Sequence, residues 1–452
     1  MSVIIKIHSF QRLVLNNFPD LLQLSFLASR QMDRVLFYSS GLDPEHGRFS
    51  VLSLDPLFEL DSSIEFDDML NVLFSLREFK DIADIPIPLF SGWMNYESVR
   101  FFEKIEPAKK NTIEVPDFQF VFSDSFLVVD TFEKKAELIL LETDVSKNTS
   151  DERKDKYLEE LAMPVPKHEY ELSGIRAKAL ISKKQYYDSV EEIRRLIGEG
   201  SVYQVNFTYP LKVETDIPSW FLFYRYLTQN HADYAAFINS EACEVLSISP
   251  ECFYRVKNGT EVSSFPIKGT IRKGEDDKEN NELKLELQSS EKDRAELAMI
   301  VDLVRNDIGK LAVPGSVKVD LHAGLMEFPT LFHLVSKISG KIEKHDQIKL
   351  FKSLFPGGSI TGAPKIAAMQ MISRLEKYKR GIYTGAVGFT GLDGNAVFNI
   401  PIRTVQRKGG TLIYSTGGGI TWNSDPEKEF VETLIKAKAF LNIFEDPEII
   451  FE

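Results

Sequence analysis

The feature that most constrains the fold is the order of β-like and helical patterns, which follow one another with no strand-helix-strand regularity. β-like runs stand at 34–38, 118–129 and 136–141, and again at 202–211, 234–238, 244–247, 253–257, 381–390, 396–406 and 411–414. Helical patterns stand at 183–197, ending at Gly198 and Gly200, at about 280–311, 325–337, 346–353 and 426–443, and at 366–375. Sheets and helices are therefore mixed without crossover units, and no internal repeat is present.

A chain of 452 residues, 43% apolar, can bury enough core for two or three domains. Antiparallel sheets can also close over such a length as one unit, so length alone leaves both readings open. The segment 143–169, rich in Lys, Glu, Asp and Ser and holding Pro164 and Pro166, is the one plausible linker. It separates an N-terminal part, 1–150, from a C-terminal part, 174–445. The net charge of −13 argues against nucleic acid or an anionic membrane as partner. It leaves room for an anionic small substrate, because a buried arginine or a bound cation reverses the local field. Two cysteines, Cys243 and Cys252, make no disulfide framework and lack metal-ligand spacing, as in a reducing compartment. With no signal-like start and no apolar run of about 18 residues, a soluble, cytoplasmic protein is expected.

Two helical patterns open on paired acids. Ser290-Glu291-Lys292-Asp293 reads as a capping box, and Leu297, Ile300, Val301, Val304 and Ile308 supply a buried face, so Asp293 and Glu296 point the same way near the helix start. Ser424-Asp425-Pro426 opens a second helix, with Phe430, Leu434, Ala437 and Leu441 on one stripe and Glu429, Glu432 and Lys436 on another. Brought together, the two pairs would form an oxygen-rich cage suited to magnesium rather than zinc. By spacing alone, the same acids are equally at home on solvated faces near helix N-termini.

Two glycine-rich segments expose backbone. Residues 355–365 lead into a helical pattern and offer N–H groups to an anion without the spacing of a nucleotide-binding loop. Thr416-Gly417-Gly418-Gly419-Ile420 reads as a second loop, placed before the acidic helix. Lys268, in Phe265-Pro266-Ile267-Lys268-Gly269-Thr270, sits in an apolar setting where a lysine can serve as a nucleophile.

In order and spacing, Ser249-Pro250-Glu251, residues 266–270, 292–307, 356–365, Ile402-Arg403-Thr404 and 417–432 resemble the chorismate-binding enzymes over roughly 174–442. The resemblance implies an α+β fold of two large packed antiparallel sheets with helices outside, the N-terminal part interwoven with the rest into one body. Within that family, Lys268 in Pro-Ile-Lys-Gly-Thr is similar to the covalent lysine of aminodeoxychorismate synthases, where anthranilate synthases carry alanine. Gln204 stands where isochorismate and salicylate synthases place a water-activating lysine, and Arg48 to Ser53 lacks the Leu-Leu-Glu-Ser pattern of tryptophan-inhibited anthranilate synthases. Asn95-Tyr96-Glu97 departs from the family's Gly-Tyr-Asp, and Asn423-Ser424-Asp425 from its Asp-Ser-Asp.

The implied reaction is amination of chorismate to 4-amino-4-deoxychorismate on the route to 4-aminobenzoate and folate; the alternative is anthranilate synthase component I. The resemblance implies Mg²⁺ on Glu296 and Glu432, with Asp293 and Glu429 acting directly or through water. It implies Arg403, Tyr383, Thr361, Gly417, Gly418, Gly419 and Lys436 around the substrate, and Lys268, Glu251 and His333 in catalysis. Neither cysteine lies in a nucleophile elbow, so ammonia is expected from a separate glutaminase subunit.

Overall fold

The computed structural model describes residues 5–39, 47–75, 85–106, 108, 110–167, 169–327 and 331–452. Its 23 strands among these residues form two sheets. The larger runs β1 (Ile7–Leu15), β8 (Lys135–Thr143), β7 (Ser125–Asp130), β3 (Phe49–Leu54), β2 (Arg34–Tyr38), β11 (Tyr234–Asn239), β12 (Glu244–Ser249), β21 (Thr404–Lys408), β22 (Thr411–Ile420), β10 (Gln204–Glu214), β9 (Arg176–Ala179) and β23 (Glu448–Phe451), with β18 (Gly362–Ala363) also on β10. The smaller runs β15 (Ile267–Arg272), β17 (Leu331–Lys341), β14 (Glu261–Ser264), β13 (Cys252–Lys257), β20 (Ala396–Asn399), β19 (Ala386–Thr390), β5 (Phe90–Met94), β6 (Phe118–Phe122) and β4 (Phe58–Asp61), with β16 (Lys318–Glu327) also on β17. Every named pairing is antiparallel except β23 on β9.

The sheets pack face to face. Phe37 of β2 meets Phe389 of β19 with ring centroids 5.1 Å apart, and the hydroxyls of Ser53 and Ser91 lie 3.3 Å apart across the same gap. Strands from the first third of the chain pair with later ones in both sheets, β2 with β11 and β5 with β19, so backbone hydrogen bonds join the two parts. Helices cover the outside. α1 (Leu21–Ser29) lies on α5 (Ser219–Gln229) through Phe26 and Trp220, while α4 (Lys183–Gly198) and α10 (Pro426–Leu441) cover β10 through Tyr186, Phe207 and Phe430. α7 (Glu291–Gly309) lays Leu297, Ile300, Val301, Val304 and Ile308 inward beside β17, the face its spacing predicts.

Four expectations change. The pattern at 325–337 is not a helix: it covers the end of β16 and most of β17, while residues 328–330 lie outside the described residues. β17 is paired on both sides and mostly buried, and its near-continuous apolar run mimics a helical period. The pattern at 280–311 is two helices, α6 (Asp277–Ser289) and α7, broken where Ser290 turns extended to cap the second. The supposed loop 416–420 is the end of β22, paired residue for residue with β10. The supposed linker holds α3 (Ser150–Ala162), whose buried Arg153 pairs with Asp124 at 2.8 Å.

Candidate active site

Lys268 lies at the start of β15, and the next residue, Gly269, takes a φ of +73° at a register shift against β17. A Cβ on Gly269 would lie 3.0 Å from the Cβ of Asp293, so the bulge seats the start of α7 directly on the lysine strand. The Lys268 ammonium acts electrostatically on Glu251, Glu296 and Glu432, three carboxylates from three separate elements. Its Nζ also donates to the Ser359 carbonyl at 3.5 Å.

Glu251, between β12 and β13, is 5% exposed. Burial pushes its carboxyl up to about 7, partly offset by the Ser359 hydroxyl and the Lys268 charge. A carboxyl in that range holds a proton at neutral pH and can give it up.

The acidic starts of α7 and α10 come together, since the Glu432 charge acts on Glu296. Asp293 takes the hydroxyl of its own cap, Ser290, at 2.5 Å, and Glu429 that of Ser424 at 2.7 Å. Burial raises the Glu296 carboxyl above its usual range, eased by Lys268 and Lys292 but worsened by Asp293 and Glu432. Burial also raises Glu429, with Glu432 adding repulsion. Burial opposes ionisation of Glu432 as well, but the Lys436 ammonium 2.6 Å away outweighs it and the carboxyl is lowered. Among the described residues no three His, Cys, Asp or Glu side chains gather closely enough to hold a metal ion. The donor chemistry is nonetheless of the kind a hard cation takes: Glu296 is repelled by Asp293 and Glu432, and Glu429 by Glu432, while Lys292 and Lys436 ease that repulsion.

β22 brings glycines to this cluster. A Cβ on Gly418 would lie 3.5 Å from Glu429 Oε2, 3.7 Å from Glu432 Oε1 and 3.7 Å from Lys436 Nζ, and that ammonium donates to the Gly417 carbonyl at 3.0 Å. Gly417 is required by its partner strand, since a Cβ there would meet the Phe207 carbonyl oxygen at 2.2 Å. Thr361 is fully buried, and its hydroxyl donates to the Gly357 carbonyl at 2.9 Å, holding the loop in shape.

Arg403 stands in the break between β20 and β21 with a φ of +50°, a left-handed conformation rare outside glycine. Such strain is retained where a side chain must be aimed. No carboxylate pairs with Arg403 among the described residues, and its charge acts on His333, Tyr226 and Tyr414. Burial and that charge lower His333 to about 4, so the imidazole is neutral, with Nδ1 2.7 Å from the Thr270 hydroxyl. Tyr383 is buried beside Arg380 and Tyr414, and burial raises its phenol.

Arg380 was not singled out by the sequence. Its guanidinium binds both carboxylate oxygens of Glu376, at 2.7 and 2.9 Å, and the carbonyls of Ile360 and Asn206, at 2.9 and 2.7 Å. It thereby ties the glycine-rich loop to β10. The only signal was a Glu-Arg pair four apart, hidden among surface-like lysines.

A sequence profile of the chorismate binding enzymes matches residues 42–442. The chain belongs to the chorismate binding enzyme family. This chorismate binding enzyme is 34% identical over 382 residues to anthranilate synthase component 1 of Saccharolobus solfataricus, covering 82% of this chain and 85% of that one. It is 32% identical over 431 residues to aminodeoxychorismate synthase component 1 of Escherichia coli, covering 91% and 93%. Its fold matches anthranilate synthase component I from Streptococcus pneumoniae with a TM-score of 0.79 at 28% identity, covering 88% and 93%. Relatives of both activities thus stand at similar distance, and the choice between them rests on the site. Among the described residues no helix is long and apolar enough to cross a membrane.

Proposed function

We propose that this enzyme aminates chorismate to 4-amino-4-deoxychorismate with ammonia from a separate glutaminase subunit. The observation that carries this reading is Lys268, whose charge acts on Glu251, Glu296 and Glu432, near Arg403, which has no carboxylate partner among the described residues. Arg403 and Tyr383 would take the enolpyruvyl carboxylate, for which a planar guanidinium is well shaped. Gly417, Gly418, Gly419, Thr361 and Lys436 would line the remainder, with neutral His333 beside the ring. Mg²⁺ on Glu296 and Glu432, with Asp293 and Glu429 direct or through water, would neutralise the ring carboxylate.

Lys268 first releases its ammonium proton to bulk water; Glu251, protonated, then gives its proton to the 4-hydroxyl, which leaves as water while the Lys268 amine bonds to C2 and the two ring double bonds shift. Ammonia then bonds to C4, the double bonds return and the C2–Nζ bond breaks. The Glu251 carboxylate takes the surplus proton from the new amine, and lysine and acid are restored. The enolpyruvyl group is retained throughout.

Incubation with chorismate, Mg²⁺ and ammonium at mildly alkaline pH, followed by mass spectrometry, tests this. A product that keeps the enolpyruvyl carbons and yields 4-aminobenzoate only with an added aminodeoxychorismate lyase is expected. Direct release of 2-aminobenzoate and pyruvate would overturn the reading.

A further inference from the structure

Tyr186, near the start of α4, is fully buried, yet its hydroxyl has no hydrogen-bond partner among the described residues. Its ring lies against Phe207, Tyr209 and Phe430, with centroids 5.5, 5.7 and 5.4 Å away. A phenylalanine would fill that place without the desolvation cost of an idle hydroxyl. Phe207 pairs with Gly418 in the ladder of β10 and β22, and a Cβ on Gly418 would lie 3.5 Å from Glu429 Oε2 and 3.7 Å from Glu432 Oε1. Phe430 follows Glu429 on α10. The phenol therefore stands in the layer that holds the acids of α10, and both carboxylates act on it as charges. Burial first, then the Glu429 charge, raise it above its ordinary range, so it keeps its proton and meets those carboxylates as a donor.

The neighbouring groups are already engaged. The Tyr209 hydroxyl lies 2.7 Å from that of Thr433, which itself donates to the Phe430 carbonyl at 2.7 Å. Glu432 is paired with Lys436 at 2.6 Å. Ser424 donates to Oε1 of Glu429 at 2.7 Å, which leaves Oε2 for another donor. On the proposed Mg²⁺ reading, on which this step rests, Glu429 serves the metal directly or through water, and a carboxylate in that role is held in place by hydrogen bonds from behind. We propose that Tyr186 is the positioning residue of Glu429, its phenol donating to that carboxylate in the Mg²⁺-bound enzyme.

The test is Mg²⁺ affinity of the full chain at saturating chorismate without ammonium, read by displacement of Mn²⁺ in electron paramagnetic resonance, beside thermal melting in EDTA. Tyr186→Phe should raise the Mg²⁺ Kd about tenfold or more. In EDTA it should melt at or above the wild-type temperature, because the hydroxyl it loses is unpaired there. In a Glu429→Ala background the same change should move the Kd less than about twofold, since the acceptor is gone. A Kd within about twofold of wild type in Tyr186→Phe overturns the inference, as does a raised Kd accompanied by a lowered melting temperature in EDTA, the mark of a hydroxyl that serves the fold. An undiminished rise in the Glu429→Ala background overturns the assignment to Glu429. A wild type that takes up no Mn²⁺ removes the metal reading itself, and the positioning role falls with it.

Discussion

In the proposed reaction Glu251 and Lys268 carry the chemistry, and each makes a separable prediction. Lys268→Ala should cut turnover by about a hundredfold or more while chorismate binding changes only a few-fold; unaltered turnover would exclude covalent attack. Glu251→Gln should likewise lose about 10²–10⁴ in turnover. Its stability carries a second signature. The folded carboxyl is raised to about 7 from an ordinary 4.5, so the folded state binds the extra proton. That contribution is fully present below about 4.5 and is lost as pH rises through about 7. Wild-type stability should therefore fall across this window by up to about 3 kcal/mol from this group, and Glu251→Gln should flatten that part of the curve. Denaturant midpoints at pH 5, 6, 7 and 8 give the answer; parallel curves for the two proteins would show that burial does not control this acid.

Among elements, those with a single clear face were legible in the sequence. The stripe of α7, the Asp425-Pro426 start of α10 and the period of β11 to β13 all lie where spacing put them. Elements shaped by their neighbours were not. A run of three glycines reads as a loop from local propensity, yet β22 needs it because β10 approaches within 2.2 Å of a Cβ on Gly417. The strand expected at 396–406 is interrupted at Arg403, whose left-handed backbone no propensity foretells. Site residues named from the family motifs, Lys268, Glu251, Glu296 and Glu432, do share one electrostatic neighbourhood, while the contacts that orient them, through Ser359 and the Gly269 bulge, depend on tertiary approach. The glycines therefore differ in their expected tolerance. Gly417→Ala should cost about 1–3 kcal/mol, because the clash is with backbone. Gly418→Ala meets only ordinary van der Waals distances, so it should melt close to wild type and lose chorismate affinity instead. Thermal melting beside a chorismate titration separates the two, and equal destabilisation of both would contradict the register.

At the scale of the whole molecule, the two parts of the chain meet close to the site through Glu97, in the segment where the sequence resemblance departs from the family's Gly-Tyr-Asp. Glu97, in a helical turn after β5, is 5% exposed and accepts the backbone N–H groups of Arg380 at 2.8 Å and Gly381 at 3.0 Å. The Arg380 guanidinium also lies over the Tyr96 ring at 4.8 Å and reaches the carbonyls of Ile360 and Asn206, while Tyr383 follows three residues later. The N-terminal part thus holds the backbone that leads to Tyr383, the tyrosine proposed to bind the substrate. Removing the acceptor while leaving two buried N–H groups unpaired costs each its desolvation, so Glu97→Ala should lose about 2–5 kcal/mol in denaturant unfolding. Glu97→Gln keeps one carbonyl for those donors and should lose less than half as much. If the seam positions the site, KM for chorismate should rise in the alanine variant under conditions where it remains folded, and the glutamine variant should restore it. Full stability loss with an unchanged KM would make this contact a clamp on the fold alone, and would place the support of Tyr383 in the Glu376 to Arg380 pair rather than across the two parts of the chain.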